Sequence, residues 1–109
     1  QSELRSGLEN LNTLRSRLDA VHVEDRSRIY NINLVTVLEL ENLCDLAAVA
    51  LHSALAREES RGAHARRDFP TRDDDRWLRH TLVRKAGDKL QIDYKPVRIT
   101  HWQPAERTY

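Results

Sequence analysis

The sequence predicts a mainly α fold: an antiparallel helical hairpin or a partial three-helix bundle, followed by a small β-hairpin and an extended tail. Three patterns carry that expectation. Leu4, Leu8, Leu11, Leu14 and Leu18 recur at spacings of four, three, three and four, which draws one apolar stripe along a helix. A longer run from 32 to 60 keeps a helical apolar pattern and is followed by Gly62. Near the end, "TLVRK" and "LQIDYK" alternate around "AGD", the pattern of two strands and a turn.

The first helix is expected over residues 2–20. Arg, Glu, Asn and Ser fill its other faces, so it lays a single leucine seam on a partner. The charged stretch "VHVEDRSRIYN" then breaks the pattern. Asn31 or Asn33 suits the cap of the next helix, because a short polar side chain can accept from a free N–H of the first turn. That second helix is expected over 32–60, with Gly62 placed for a C-terminal cap. Its first half reads as amphipathic. Its middle, "LAAVALHSALA", is apolar nearly all round, and such a helix must be covered on several sides. One neighbour with one leucine seam does not suffice. The sequence therefore predicts a missing layer: a second copy, another subunit, or the rest of a longer chain. Ala47, Ala48, Ala50 and Ala54 would admit it closely.

Residues 61–73 read as a charged loop, with Phe69-Pro70 extended because proline disfavours helix in the residue before it. Asp73, Asp74 and Asp75 precede a short helix at 74–80, where acids suit the cap and the dipole. The hairpin strands are expected at 81–85 and 90–95, with Pro96 stopping the second. A strand-like tail completes residues 81–109.

Size and charge exclude several functions. At 109 residues the chain is one domain with a modest core. Its apolar share of 39% is low and its charged share of 32% is high, which implies much surface or much interface. The formal net charge is +1, so no basic excess marks a nucleic-acid face or a polybasic membrane anchor. Lys85, Lys89 and Lys95 are the only lysines; the other basic residues are Arg, which suits fixed two-point ion pairs. The single Cys44 permits no internal disulfide. The chain starts at Gln1 and contains no Met, as expected of a processed chain or a piece of a longer one.

No constellation carries chemistry. Ser60, His64 and Asp68 are spaced four apart, but Gly62 and Pro70 interrupt the helix that would align them as a triad. The acids at Asp73–Asp75 with His64 or His80 lack calcium-loop or paired-histidine spacing, so a helix cap is the better reading. Cys44 lies in an apolar run and reads as a buried thiol. Trp77, Trp102, Tyr94 and Tyr109 read as apolar anchors rather than base-stacking platforms, because acids stand between them. Gly7, Gly62 and Gly87 are isolated, so no nucleotide-binding fingerprint is present.

The segments "LELENLCDLA", "SALAREESRGAHARRDFPTRDDDRWLRHTL", "KPV" and "ERTY" resemble the C-terminal domain of the succinate dehydrogenase/fumarate reductase flavoprotein subunit. The pattern falls on Arg57, Glu59, Ser60, Arg61, Gly62, Ala63, His64, Arg66, Asp68, Phe69, Pro70, Arg72, Asp73, Asp74, Trp77, His80 and Thr81. It is dense from Leu38 to Leu82 and returns at Arg107, Thr108 and Tyr109.

This resemblance implies a parent of several hundred residues with a Rossmann-type FAD-binding domain, a mobile capping domain and this helical C-terminal domain. Such proteins interconvert succinate and fumarate by hydride transfer with covalently bound FAD. Electrons pass to an iron-sulfur subunit, and then to quinone through membrane-anchor subunits. The family's catalytic and flavin-linked residues lie upstream, so the resemblance implies no catalytic, cofactor-binding or metal residue here. FAD is expected in the parent and not on this piece, and no nucleic acid is expected.

The charged segment is expected to dock the domain onto the FAD-binding and capping domains and onto the iron-sulfur subunit. Its candidate residues are Arg57, Glu59, Ser60, Arg61, His64, Arg66, Asp68, Phe69, Arg72, Asp73, Trp77 and His80. In the isolated piece much of this strip is expected to pair internally or be disordered, and the uncovered helix is expected to self-associate. The implied location is the cytoplasmic side of a bacterial inner membrane or the mitochondrial matrix side. L-aspartate oxidase, a related flavoprotein with a similar Glu-Ser-Arg-Gly motif, is the alternative; "RDDDRWLRHTL" and "ERTY" favour the succinate/fumarate family. A stand-alone helical adaptor is the alternative from a different class.

Overall fold

The computed structural model describes residues 1–87 and 89–105. Its elements run α1 (Ser2–Leu18), α2 (Ile32–Ala56), α3 (Asp74–Trp77), β1 (Arg79–Ala86) and β2 (Lys89–Pro96). The two long helices form an antiparallel hairpin, and the two strands form an antiparallel ribbon packed on α2. The mainly α class with one small β-hairpin is what the sequence predicts.

The leucine stripe of α1 meets α2 around a small core of Leu11, Cys44 and Ala48. Leu18, Ala47, Leu51 and Leu90 pack against it. Leu14 stays half exposed, so the seam is not fully covered. Gly7 permits the close crossing, since a Cβ there would stand 3.3 Å from Leu51 Cδ2. Asp45 ties three elements together, accepting from Arg15 of α1 at 2.6 Å and from Lys85 of β1 at 3.2 Å. The Lys85 ammonium, with help from Arg15, holds the Asp45 carboxyl below its ordinary value.

Asn31, not Asn33, caps α2. Its Oδ1 accepts from the Leu34 N–H at 2.9 Å, while its amide donates to the Asp25 and Ser27 carbonyls. The turn before it holds Tyr30 at φ +54°, a left-handed conformation that a tyrosine rarely adopts.

Several boundaries correct the expectations. α1 stops at Leu18 rather than 20. α2 stops at Ala56 rather than 60, because Arg57 turns extended (φ −88°, ψ 107°) to carry the chain toward Glu59. Gly62 therefore caps nothing; its φ of +57° serves a tight turn in which Arg61 and His64 exchange backbone hydrogen bonds of 2.8 and 3.0 Å. α3 ends at Trp77, since Arg79 and His80 already pair with Pro96 and Lys95. The strands exceed the expected 81–85 and 90–95, and Pro96 is the last residue of β2. Residues 97–105 contain no strand, and Arg107, Thr108 and Tyr109 lie outside the described residues.

The uncovered part of α2 also differs from the expectation. Residues of the alanine-rich middle are mostly half-buried against α1 and the hairpin. Exposure concentrates on the first half, at Ile32, Leu34, Val35, Leu38, Leu40, Leu43 and Leu46. The reason is one of length. Antiparallel α1 ends at Leu18, which packs on the core beside Cys44, so the opening turns of α2 project past it. The radius of gyration is 18.5 Å, against about 13 Å for a compact domain of this length.

Candidate functional site

The loop between α2 and the hairpin is built around one carboxylate. Glu59 is fully buried. Its Oε1 accepts from Arg57 Nε and Arg61 Nε, both at 2.8 Å. Its Oε2 accepts from Arg61 Nη2 and from the Asp73 N–H, both at 3.0 Å. Four donors thus converge on its lone pairs. Burial pushes this carboxyl up, but Arg61, the Asp73 N–H and Arg57 together outweigh burial and hold it at about 2.

Arg57 extends the network toward the hairpin. Its Nη1 donates to the Arg79 carbonyl at 2.9 Å and to Thr81 Oγ1 at 3.2 Å, and its Nη2 donates to the Trp77 carbonyl. Arg61 also donates to Asp74 Oδ1 at 2.5 Å. Asp73 caps α3 through the Arg76 N–H at 3.0 Å. Of the three consecutive acids, Asp73 is therefore a cap and Asp74 a brace, while Asp75 is exposed, and no cluster of metal ligands occurs among the described residues.

A second brace closes α2. Arg66, also buried, donates from Nη1 to the carbonyls of Ala54, Leu55 and Arg57 at 2.9, 2.9 and 3.0 Å. These are the free acceptors at a helix end, which a guanidinium satisfies both by hydrogen bonding and by complementing the dipole. The rest of its fork grips Asp68 at 2.8 and 2.5 Å, and this pairing holds the Asp68 carboxyl well below its ordinary range. The same guanidinium lies 4.9 Å from the Phe69 ring centre.

Ser60 staples the loop to itself. Its Oγ donates to the Phe69 carbonyl at 2.8 Å and accepts from the Arg66 N–H at 2.8 Å. His64 Nε2 lies 3.3 Å from the Arg57 carbonyl oxygen. Ser60, His64 and Asp68 thus face separate partners and form no triad.

Trp77, 3% exposed, is the apolar anchor. It meets Tyr94 edge to face at 5.7 Å. The Arg79 guanidinium lies 3.9 Å from the Tyr94 ring centre and 4.6 Å from that of Trp77. Trp77 Nε1 and Arg79 Nε find no conventional acceptor among the described residues.

Of the expected docking residues, the loop gathers Arg57, Glu59, Ser60, Arg61, His64, Arg66, Asp68, Phe69, Asp73 and Trp77 into this network. Arg72 lies at its rim, donating to Asp74 Oδ2 at 2.9 Å and to the Ala105 carbonyl at 2.7 Å. His80 is exposed on β1. Sequence reading missed Arg79 and Tyr94 as partners of Trp77, and missed Arg66 as the helix cap. An aromatic and an arginine on neighbouring strands, just after a Trp, were the available signal for the first.

The comparisons with known proteins place this geometry. The family model described as the fumarate reductase flavoprotein C-terminal region matches residues 1–109. The chain is 45% identical over 107 residues to a fumarate reductase flavoprotein subunit of Mycobacterium tuberculosis, covering 97% of this chain and 18% of that protein. It is 47% identical over 118 aligned positions to a succinate dehydrogenase flavoprotein subunit of Rickettsia bellii, covering all of this chain and 20% of that one. A solved quinol-fumarate reductase chain superposes with a TM-score of 0.83 at 34% identity, over 94% of this chain and 18% of that chain. The chain thus spans about a fifth of the length of these relatives. With a match over its whole length and a shared fold, the chain belongs to the family of C-terminal domains of succinate dehydrogenase and fumarate reductase flavoprotein subunits.

Proposed function

We propose that this domain serves a flavoprotein subunit that interconverts succinate and fumarate by hydride transfer with FAD, and that its own part is architectural. The match of the family model to residues 1–109 supports this reading most directly. These residues offer no Gly-rich phosphate loop, so FAD and the reacting groups are assigned to the rest of the parent chain. Electrons then leave the flavin for an iron-sulfur subunit and reach quinone through membrane-anchor subunits. No helix among the described residues is long and apolar enough to cross a membrane. A place at the membrane surface, on the cytoplasmic side in bacteria or the matrix side in mitochondria, accordingly comes through those partners.

Within the domain, the Glu59 brace ties the end of α2 to the hairpin through Arg57, and the Arg66 brace ties it to the loop at Asp68. The exposed edge around this loop, at Arg72 of the loop, Asp75 and Arg76 of α3 and His80 of β1, is the part left to dock charge on the flavin-bearing body or the iron-sulfur subunit. The test is Arg61→Ala in the full-length subunit, with assembly and substrate response measured together. The expected result is a lower yield of assembled, flavin-loaded enzyme with little change in the substrate constant of what assembles. Unchanged assembly with a raised substrate constant would move Arg61 into the substrate site and overturn the architectural reading.

A further inference from the structure

We infer that the first half of α2 and the turn before it form the joint by which this domain seats, in cis, on the larger remainder of its own flavoprotein chain. The inference rests on the reading of this chain as part of a longer subunit and names the surface involved.

The surface is apolar and continuous in sequence. Ile29, Tyr30 and Ile32 are 75%, 93% and 73% exposed, and Val35, Leu38, Leu43 and Leu46 are each more than half exposed. Ile32, Val35, Leu43 and Leu46 fall on one side of the helix, and Glu39 is the charged residue among them. That side lies away from Cys44 and Ala48, which face α1. Patches of this kind on a soluble domain mark interaction sites.

The tip is also held ready. Three hydrogen bonds of Asn31 lock the turn, and Tyr30 is kept in a left-handed backbone that costs free energy. A strained, rigid turn that presents a tyrosine to solvent fits an anchor inserted into a preformed pocket.

Area selects the occupant. The chain exposes 9295 Å², about half as much again as the roughly 6,200 Å² of a compact monomer of its mass. A second copy would remove about 800 Å² from each partner through a standard interface and about 1,000–2,500 Å² through an obligate one, which still falls short of that excess. The excess calls for a larger body, and about four-fifths of each matched relative lies outside the region this chain covers.

The experiment is side-chain footprinting by hydroxyl radicals on the full-length subunit, native and urea-unfolded, at two protein concentrations. Labelling of Tyr30, Leu38 and Leu43 is expected to fall about tenfold in the native subunit, because the core of an interface loses nearly all its solvent. The protection is expected to be unchanged by dilution, and Tyr30→Gly is expected to restore labelling of Leu38 and Leu43 in part. Glycine suits the left-handed turn, so this variant tests the side chain without straining the fold. Labelling equal to that of the unfolded chain overturns the inference, and protection that disappears on dilution replaces the parent chain by a second copy. Flavin absorbance of the same sample tests the underlying reading separately. A flavin-free full-length chain would remove that reading whatever the footprint shows.

Discussion

Around Glu59, charged side chains lie inside the domain and find partners. Along the first half of α2, apolar side chains lie largely exposed among the described residues. A self-sufficient domain of this size distributes them the other way. In the first region stability comes from geometry, since one carboxylate and two arginines fix a loop that has almost no apolar content of its own. In the second, apolar side chains stand exposed and add little to the core of the domain. The contrast teaches that this domain holds its loop with polar braces and leaves an apolar face of α2 open, the face inferred above to be its joint.

The most severe way to break the first region is Glu59→Ala. It leaves Arg57 and Arg61 facing each other without their shared acceptor, a loss of about 3–5 kcal/mol for a broken buried pair. Urea denaturation of the chain is expected to show little or no folded baseline. Arg66→Ala ranks next. It frees three carbonyls at the end of α2 and unpairs Asp68, for about 2–3 kcal/mol. Arg66→Lys is expected to recover part of that, because an ammonium can meet a carbonyl but cannot fork onto Asp68.

Acid sharpens the same region. The folded carboxyl of Glu59 titrates at about 2, below its ordinary 4.5, so the folded state binds its proton less readily than the unfolded state does. Its contribution is therefore complete above pH 4.5 and is lost as pH falls from there toward 2. It amounts to on the order of 3 kcal/mol at neutral pH. Denaturation midpoints measured across that range are expected to fall steeply in the native chain and less steeply in Glu59→Gln. Equal slopes would mean that other carboxylates carry the acid response.

The smallest expected effect probes the second region. Leu43→Asp replaces a residue that is 60% exposed. The stability of the 109-residue chain is expected to change by no more than about 0.5 kcal/mol. A larger loss would show that Leu43 already packs within the domain.

How much of this was legible varies with the range of the interaction. The leucine stripe of α1, the capping of α2 from the Asn31–Asn33 pair, the Asp73 cap and the hairpin follow from local periodicity and turn chemistry, and they stand close to where the pattern puts them. The end of α2 was not legible. Residues 57–60 continue a good helical sequence, and only the burial of Glu59 among groups as distant as Asp73 pulls the chain extended. Arg66 was equally hidden as a helix cap, since its acceptors lie nine to twelve residues earlier. Pattern alone assigned the uncovered surface to 46–56. The structure moves it toward 32–46 because α1 is too short to reach the start of α2.

The most direct test of the account combines both regions in one calorimetric scan of the full-length subunit carrying Leu43→Asp. The account predicts that the native subunit melts with this domain coupled to the flavin-bearing body, and that the variant splits off a separate, earlier transition for a domain whose own braces are intact. A variant that melts as the native subunit does, in one transition at the same temperature, would contradict the claim that the apolar face of α2 is the joint.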